Sequence, residues 1–128
     1  MGSLANVPVL VVDDDEGNRK LVAIVLEAEG AEIEMAGSAE EALSVLSVFR
    51  PRVLILDLVL PFMSGLALVE RLKAEPLTRD IAVIAVTSFN GPEAVRAARE
   101  SGCCEYVRKP IDPLSFASVV LRHSGGGT

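Results

Sequence analysis

Polar residues with chemical potential recur in this 128-residue sequence directly after short apolar runs. Asp13 and Asp14 follow Val7 to Val12, Asp57 follows Val53 to Leu56, Thr87 follows Ile81 to Val86, and Lys109 follows the stretch around Tyr106 and Val107. Any one of these has a plain reading, because Asp is common in loops, Thr ends strands and Lys is usually a solvated charge. Together they describe a reaction centre. Three carboxylates held close repel one another unless a cation neutralises them. An all-oxygen set without His or Cys suits Mg²⁺, with Mn²⁺ as a substitute, and Mg²⁺ keeps open positions that accept phosphoryl oxygens. Lys109 offers a compact positive charge to one such oxygen and the Thr87 hydroxyl a neutral donor to another. Asp57 is then the nucleophile, and its product is an acyl phosphate.

Convergence of these groups requires particular elements. The run Val7 to Val12 reads as a buried strand, with Pro8 near its start where the missing N–H does least harm. Leu21, Ile24, Val25 and Ala28 recur at helical spacing, and Gly30 follows as a left-handed stop. In Ala31 to Ala36, Glu32 and Glu34 alternate with Ile33 and Met35, the pattern of a half-exposed edge strand. Ser38 and Glu41 form a capping-box signature ahead of the helical face Ala42, Val45, Leu46 and Phe49. Val53 to Leu56 is a third strand; Pro61 and Gly65 bracket the loop before a helix lined by Leu68, Val69 and Leu72. Ile81 to Val86 is a fourth. Pro92 suits the first position of the next helix, whose inward face is the small set Ala94, Ala97 and Ala98, with Gly102 closing it. A fifth strand around Tyr106 and Val107 precedes a helix with Asp112 as N-cap, Pro113 just inside, and a packing stripe of Phe116, Val119 and Val120.

Five strands alternating with five helices predict a three-layer, doubly wound (βα)5 fold of the α/β class with a five-stranded parallel sheet. The alternating second strand belongs at an edge, so the expected order is 2-1-3-4-5. In such sheets ligands bind beyond the carboxyl ends of the strands, where the strand order reverses, which is where the polar residues fall.

Composition bounds the rest. Half of the residues are apolar and only 4% aromatic, enough for one packed domain built on Val, Leu, Ile and Ala. We expect one domain over residues 1–124 and a flexible Gly-rich tail over 125–128. A formal net charge of −6 opposes direct nucleic-acid binding. No apolar stretch is long enough to span a bilayer and the start lacks signal-peptide character, so a cytoplasmic protein is expected. Cys103 and Cys104 are adjacent, where a disulfide is strained and closes almost no loop, and His123 reads as a surface or partly packed residue.

The segments Val11-Val12-Asp13-Asp14-Asp15-Glu16, Leu54-Ile55-Leu56-Asp57-Leu58-Val59-Leu60-Pro61-Phe62-Met63-Ser64-Gly65, Val86-Thr87-Ser88 and Tyr106-Val107-Arg108-Lys109-Pro110 resemble the receiver domains of bacterial response regulators. The likeness runs from about Val7 to His123. It implies that Asp57 is the phosphoacceptor, Asp14 a direct metal ligand, Asp13 a carboxylate acting mainly through water, and Val59 the residue whose backbone carbonyl binds the metal. It further implies that Lys109 binds the phosphoryl group and that Thr87 and Tyr106 rearrange together as a switch. The phosphoryl donor would be a sensor histidine kinase or a histidine phosphotransfer protein, and the receiver would catalyse its own phosphorylation rather than act as an enzyme on other substrates. Output would pass through the surface of the fourth helix, fifth strand and fifth helix, with Arg96, Arg99 and Arg108 as contributors, in a monomer or a phosphorylation-dependent dimer.

Two departures from the family pattern stand out. Ser64 occupies a position where Asp is frequent, and Val59 and Phe89 are apolar at positions that influence phosphoryl lifetime. Two other readings compete. A haloacid-dehalogenase-like phosphatase would use Asp13 and Asp15 as its Asp-x-Asp pair with Asp13 as nucleophile, but Gly17 stands where that family has Thr, and Asp57 is left without a role. A receiver-like interaction module that is never phosphorylated is opposed by the intact acidic set and Lys109.

Overall fold

Alternation within short apolar strands generates the whole architecture. In a computed structural model, which describes residues 2–60, 63–88 and 91–125, the strands are β1 (Pro8–Val12), β2 (Glu32–Ala36), β3 (Val53–Leu56), β4 (Ala82–Thr87) and β5 (Glu105–Arg108). All pair in parallel in the order β2-β1-β3-β4-β5, with Val9 opposite Val53, Val53 opposite Ala82 and Ala85 opposite Tyr106. The helices are α1 (Glu16–Glu27), α2 (Ala39–Leu46), α3 (Gly65–Ala74), α4 (Pro92–Ser101) and α5 (Phe116–His123).

Successive strand residues point to opposite faces, so each central strand feeds two cores. Leu10, Val12, Leu54, Leu56, Val83 and Ala85 pack with Ala42 and Leu46 of α2, Leu68, Val69 and Leu72 of α3, and Ala98 of α4. Val9, Val11, Val53, Ile55, Ile84 and Val86 pack with Val22 and Leu26 of α1 and Phe116 and Val120 of α5. Three layers result, with β2 at an edge where Glu32 and Glu34 stay exposed.

Caps place the helices. The Ser38 hydroxyl accepts from Glu41 N at 3.1 Å, and Glu41 reaches back to Gly37 N at 2.8 Å. Ser64, where Asp is frequent in the family, caps α3 by accepting from Ala67 N at 3.1 Å, so the substitution keeps the capping function. Gly102, at φ +120, closes α4 in a conformation that only glycine adopts freely.

Two expectations need correction. The buried face of α1 is Val22, Ala23 and Leu26, not Leu21, Ile24 and Ala28; Ile24 is 65% exposed and Leu21 38%, while Val25 is half-buried. Residues 21–26 are uninterrupted apolar sequence, which fits more than one helical face, and the rotation is set by docking of Leu26 into the core. The regular part of α5 begins at Phe116, one turn later than expected. Asp112 caps the preceding turn instead, accepting from Leu114 N at 3.1 Å and Ser115 Oγ at 3.0 Å. The first residues also take part in the core: Leu4 is fully buried and its N–H donates to Glu29 O at 2.9 Å. Both cysteines are free, Cys103 buried and Cys104 exposed, and His123 is half-buried with Nε2 2.8 Å from Glu105 Oε1. Of the expected tail, residues 126–128 lie outside the described residues. No helix among the described residues is long and apolar enough to cross a membrane.

Candidate functional site

The carboxyl ends of β1, β3 and β5 meet at one rim. Asp13 leaves β1 with its N–H still paired to Ala36 O at 3.1 Å, so the chain remains in register while its side chain turns up. The Asp13 carboxylate accepts from Asp15 N at 2.9 Å, and its carbonyl accepts from Arg19 Nη1 at 2.8 Å. Asp57 is tied back to β1 through Asp57 N donating to Val12 O at 2.9 Å, and its carboxylate accepts from Val59 N at 3.0 Å. Lys109 is registered on β4 by donation of its N–H to Thr87 O at 3.0 Å. From there its ammonium sits 2.7 Å from Asp13 Oδ2 and 2.7 Å from Asp57 Oδ2. The Lys109–Pro110 peptide is cis.

Asp13 and Asp57 are buried at 5% and 7% exposure, yet both are charged groups with a shared cationic partner, the condition under which buried charge is tolerated. Burial pushes the Asp13 carboxyl above its ordinary range, against the hydrogen bonds from Lys109 and the Asp15 N–H. For Lys109 burial favours the neutral amine, but hydrogen bonds to Asp13 and Asp57 and their charges outweigh it and the net shift is upward. The ammonium is therefore held charged.

Asp13, Asp14 and Asp57 each present an oxygen, all within 4.8 Å of one another. One ammonium faces three carboxyl groups, a set of hard oxygens suited to a divalent cation. The adjoining cavity, bounded by Val11, Ile55, Val86 and Ile111, measures about 30 Å³. That admits a small ion or water and is far below the roughly 300 Å³ and upward of an organic-ligand pocket.

Thr87 is fully buried at the end of β4. Tyr106 is half-buried on neighbouring β5, opposite Ala85, which shares a strand face with Thr87. Burial raises the Tyr106 hydroxyl pKa. Val59 is 50% exposed, and Phe89 lies outside the described residues. Asp15 turns away from the rim: its carboxylate caps α1 by accepting from Asn18 N at 3.0 Å. The Asp-x-Asp arrangement is thus split between the site and a helix end.

Two site residues escaped the sequence reading. Arg19 looked like any exposed helical charge, and no local pattern signals its bond to Asp13. Gly65 was read only as a loop boundary, whereas a Cβ there would stand 2.6 Å from Leu58 Cα and 2.8 Å from Asp57 O. The absence of a side chain lets α3 start directly beneath the Asp57 loop, where Gly65 N donates to Leu58 O at 3.0 Å.

A doubly wound sheet carrying an acidic triad and a lysine at its switch point defines a signalling receiver module. Residues 9–120 match the response regulator receiver domain, and the chain belongs to that family, whose members act in two-component signalling. It is 35% identical over 117 residues to the polar-differentiation response regulator DivK of Brucella anthropi, covering 91% of this chain and 95% of DivK. It is 34% identical over 122 residues to the phosphate regulon transcriptional regulatory protein PhoB of Pseudomonas aeruginosa, covering 93% of this chain and 53% of PhoB, so it spans about half of that relative. A CheY-like receiver domain protein from Methanospirillum hungatei superposes with a TM-score of 0.86 at 26% identity, covering 97% of this chain and all of the other. Response regulators interact with histidine kinases and effectors, and receiver domains generally bind Mg²⁺ at an acidic pocket.

Proposed function

We propose that this chain is a phosphorylatable receiver, residues 1–124 with a Gly-rich tail over 125–128, which takes a phosphoryl group from a phosphohistidine onto Asp57. The donor is a sensor histidine kinase or a histidine phosphotransfer protein in the cytoplasm. The observation that carries this reading is Lys109 Nζ standing 2.7 Å from both Asp13 and Asp57. It puts Asp57, at the end of the central strand β3, beside a fixed cation and the two other carboxylates, which supports Asp57 as the phosphoacceptor.

The donor set fits Mg²⁺, which the Asp14 and Asp57 carboxylates and the Val59 carbonyl would hold, with Asp13 acting mainly through water and Mn²⁺ able to substitute. When bound, the ion neutralises charge on the phosphoryl oxygens. The Asp57 carboxylate attacks phosphorus, the P–N bond to imidazole breaks, and the electron pair leaves with the imidazole nitrogen. Lys109, already desolvated and charged, binds a phosphoryl oxygen, and Thr87 donates to another once its hydroxyl is drawn to the product. In this arrangement catalysis is positioning plus charge stabilisation, and the chain acts on itself. The movement of Thr87 frees space on its strand face for Tyr106, which changes the surface of α4, β5 and α5, where Arg96, Arg99 and Arg108 are exposed. The acidic chain argues against direct contact with nucleic acid.

The test is intact-mass measurement after incubation with acetyl phosphate and Mg²⁺, followed by mapping of the modified residue. One phosphoryl group on Asp57, lost in Asp57→Asn, is the expected result. Label on Asp13 points instead to the phosphatase-like reading, and no label from any phosphodonor to the silent interaction module.

A further inference from the structure

The hydrogen bond to the Asp13 carbonyl comes from outside all four site segments. Arg19 lies in the first turn of α1, and its Nη1 donates to Asp13 O at 2.8 Å in a partly buried position. The same guanidinium lies against Gly37, where a Cβ would stand 3.1 Å from Nη1. Gly37 in turn donates to Glu41 Oε1 at 2.8 Å, and the preceding residue, Ala36, accepts the Asp13 N–H at 3.1 Å. Arg19 therefore wedges between α1, the turn from β2 to α2, and the loop that carries the acidic pair.

The consequence follows from the geometry of the peptide group. The Asp13–Asp14 peptide is a rigid plane, so fixing its carbonyl fixes ψ of Asp13 and the direction in which the chain enters Asp14. Asp13 has other anchors: its N–H is held by Ala36 and its carboxylate by the Asp15 N–H and Lys109. Asp14 is exposed, and the backbone that leads into it governs where its carboxylate stands.

We propose that Arg19 is a positioning residue for the cation site: by holding the Asp13–Asp14 peptide plane against the β2–α2 corner, it presents Asp14 and sets divalent-cation affinity without contacting the phosphoryl group. The inference rests on the metal assignment made above. Outer-shell partners of this kind typically change metal affinity by 10- to 100-fold.

The sign of the effect separates positioning from simple electrostatics. A guanidinium near the site repels a divalent cation, so if charge were all it contributed, its removal would tighten Mg²⁺ binding. If it positions Asp14, its removal loosens binding.

The experiment is calorimetric titration of the full chain with Mg²⁺ for wild type, Arg19→Ala, Arg19→Lys and Gly37→Ala, with far-UV circular dichroism as the folding control. Amide hydrogen exchange at Asp15, whose N–H bonds Asp13 Oδ1, is read in the metal-free proteins. Arg19→Ala is expected to lose about tenfold in Mg²⁺ affinity and to exchange the Asp15 amide faster, with the phosphorylation rate restored at saturating Mg²⁺. Arg19→Lys keeps the charge and one donor and recovers part of the affinity. Gly37→Ala keeps Arg19 but crowds its guanidinium, and weakens binding by a smaller factor; these two variants decide the matter if Arg19→Ala does not fold. Wild-type affinity or tighter in the folded variants overturns the role of Arg19 and leaves the metal assignment standing. A wild-type chain that binds no Mg²⁺ overturns the metal assignment, and the Arg19 inference with it.

Discussion

Adding one methyl group at Gly65 tests how closely α3 and the Asp57 loop depend on each other. The new Cβ of Gly65→Ala would lie 2.6 Å from Leu58 Cα, 2.8 Å from Asp57 O and 3.2 Å from Leu58 C. Carbon atoms rest at about 3.5–4.0 Å, so the helix start and the loop must separate by roughly 1 Å. All three obstructing atoms are backbone, so no side chain can swing aside. Overpacking of this kind costs about 1–3 kcal/mol, and at the first helical residue alanine returns only a small part of the mid-helix advantage over glycine. A net loss of about 1–2 kcal/mol is expected. The functional effect should be larger in proportion, because the displaced carbonyl belongs to Asp57 itself, and a shift of about 1 Å can cost a reaction on the order of 100-fold. Urea unfolding of both proteins gives the stability, and the initial rate of phosphoryl incorporation from acetyl phosphate gives the function. A Gly65→Ala protein that is as stable as wild type and phosphorylated at the same rate would refute the reasoning and show slack between α3 and the loop.

Three further outcomes follow from the charges and thiols. Asp14→Ala should lose more than about tenfold in Mg²⁺ affinity while its metal-free Tm stays level or rises, since the change removes one of three mutually repelling carboxylates; undiminished Mg²⁺ binding rules out Asp14 as a ligand. Burial pushes the Cys103 thiol from 9.0 up to about 11. Between those values the unfolded chain releases a proton that the folded chain keeps, so stability falls as pH rises from about 9 to about 11, by up to about 2–3 kcal/mol. Urea unfolding across that range should show a shallower decline in Cys103→Ala than in wild type, and equal slopes would remove Cys103 as the cause. Native chains should correspondingly react with a thiol reagent at exposed Cys104, and at Cys103 only on unfolding.

Much of this molecule is legible in its sequence because the information is local. Strand runs that end in Asp13, Asp57, Thr87 and Lys109 place those groups at one end of the sheet for any parallel arrangement of the strands, and the Glu32 and Glu34 alternation marks β2 as an outer strand. The tertiary structure decided what local patterns leave degenerate. Six consecutive apolar residues in α1 carry no single helical phase, so only packing shows that Val22 and Leu26 face inward while Ile24 faces water. Asp112 has the chemistry of an N-cap wherever a turn needs one, and only the path of the chain shows that it serves the turn before α5. The bridge from Lys109 to Asp57 joins residues 52 apart, and the bond from Arg19 to Asp13 and the close backbone approach at Gly65 depend on elements meeting in space. Such contacts leave no periodic trace along the chain, because it is the packing of distant segments that brings their atoms within reach.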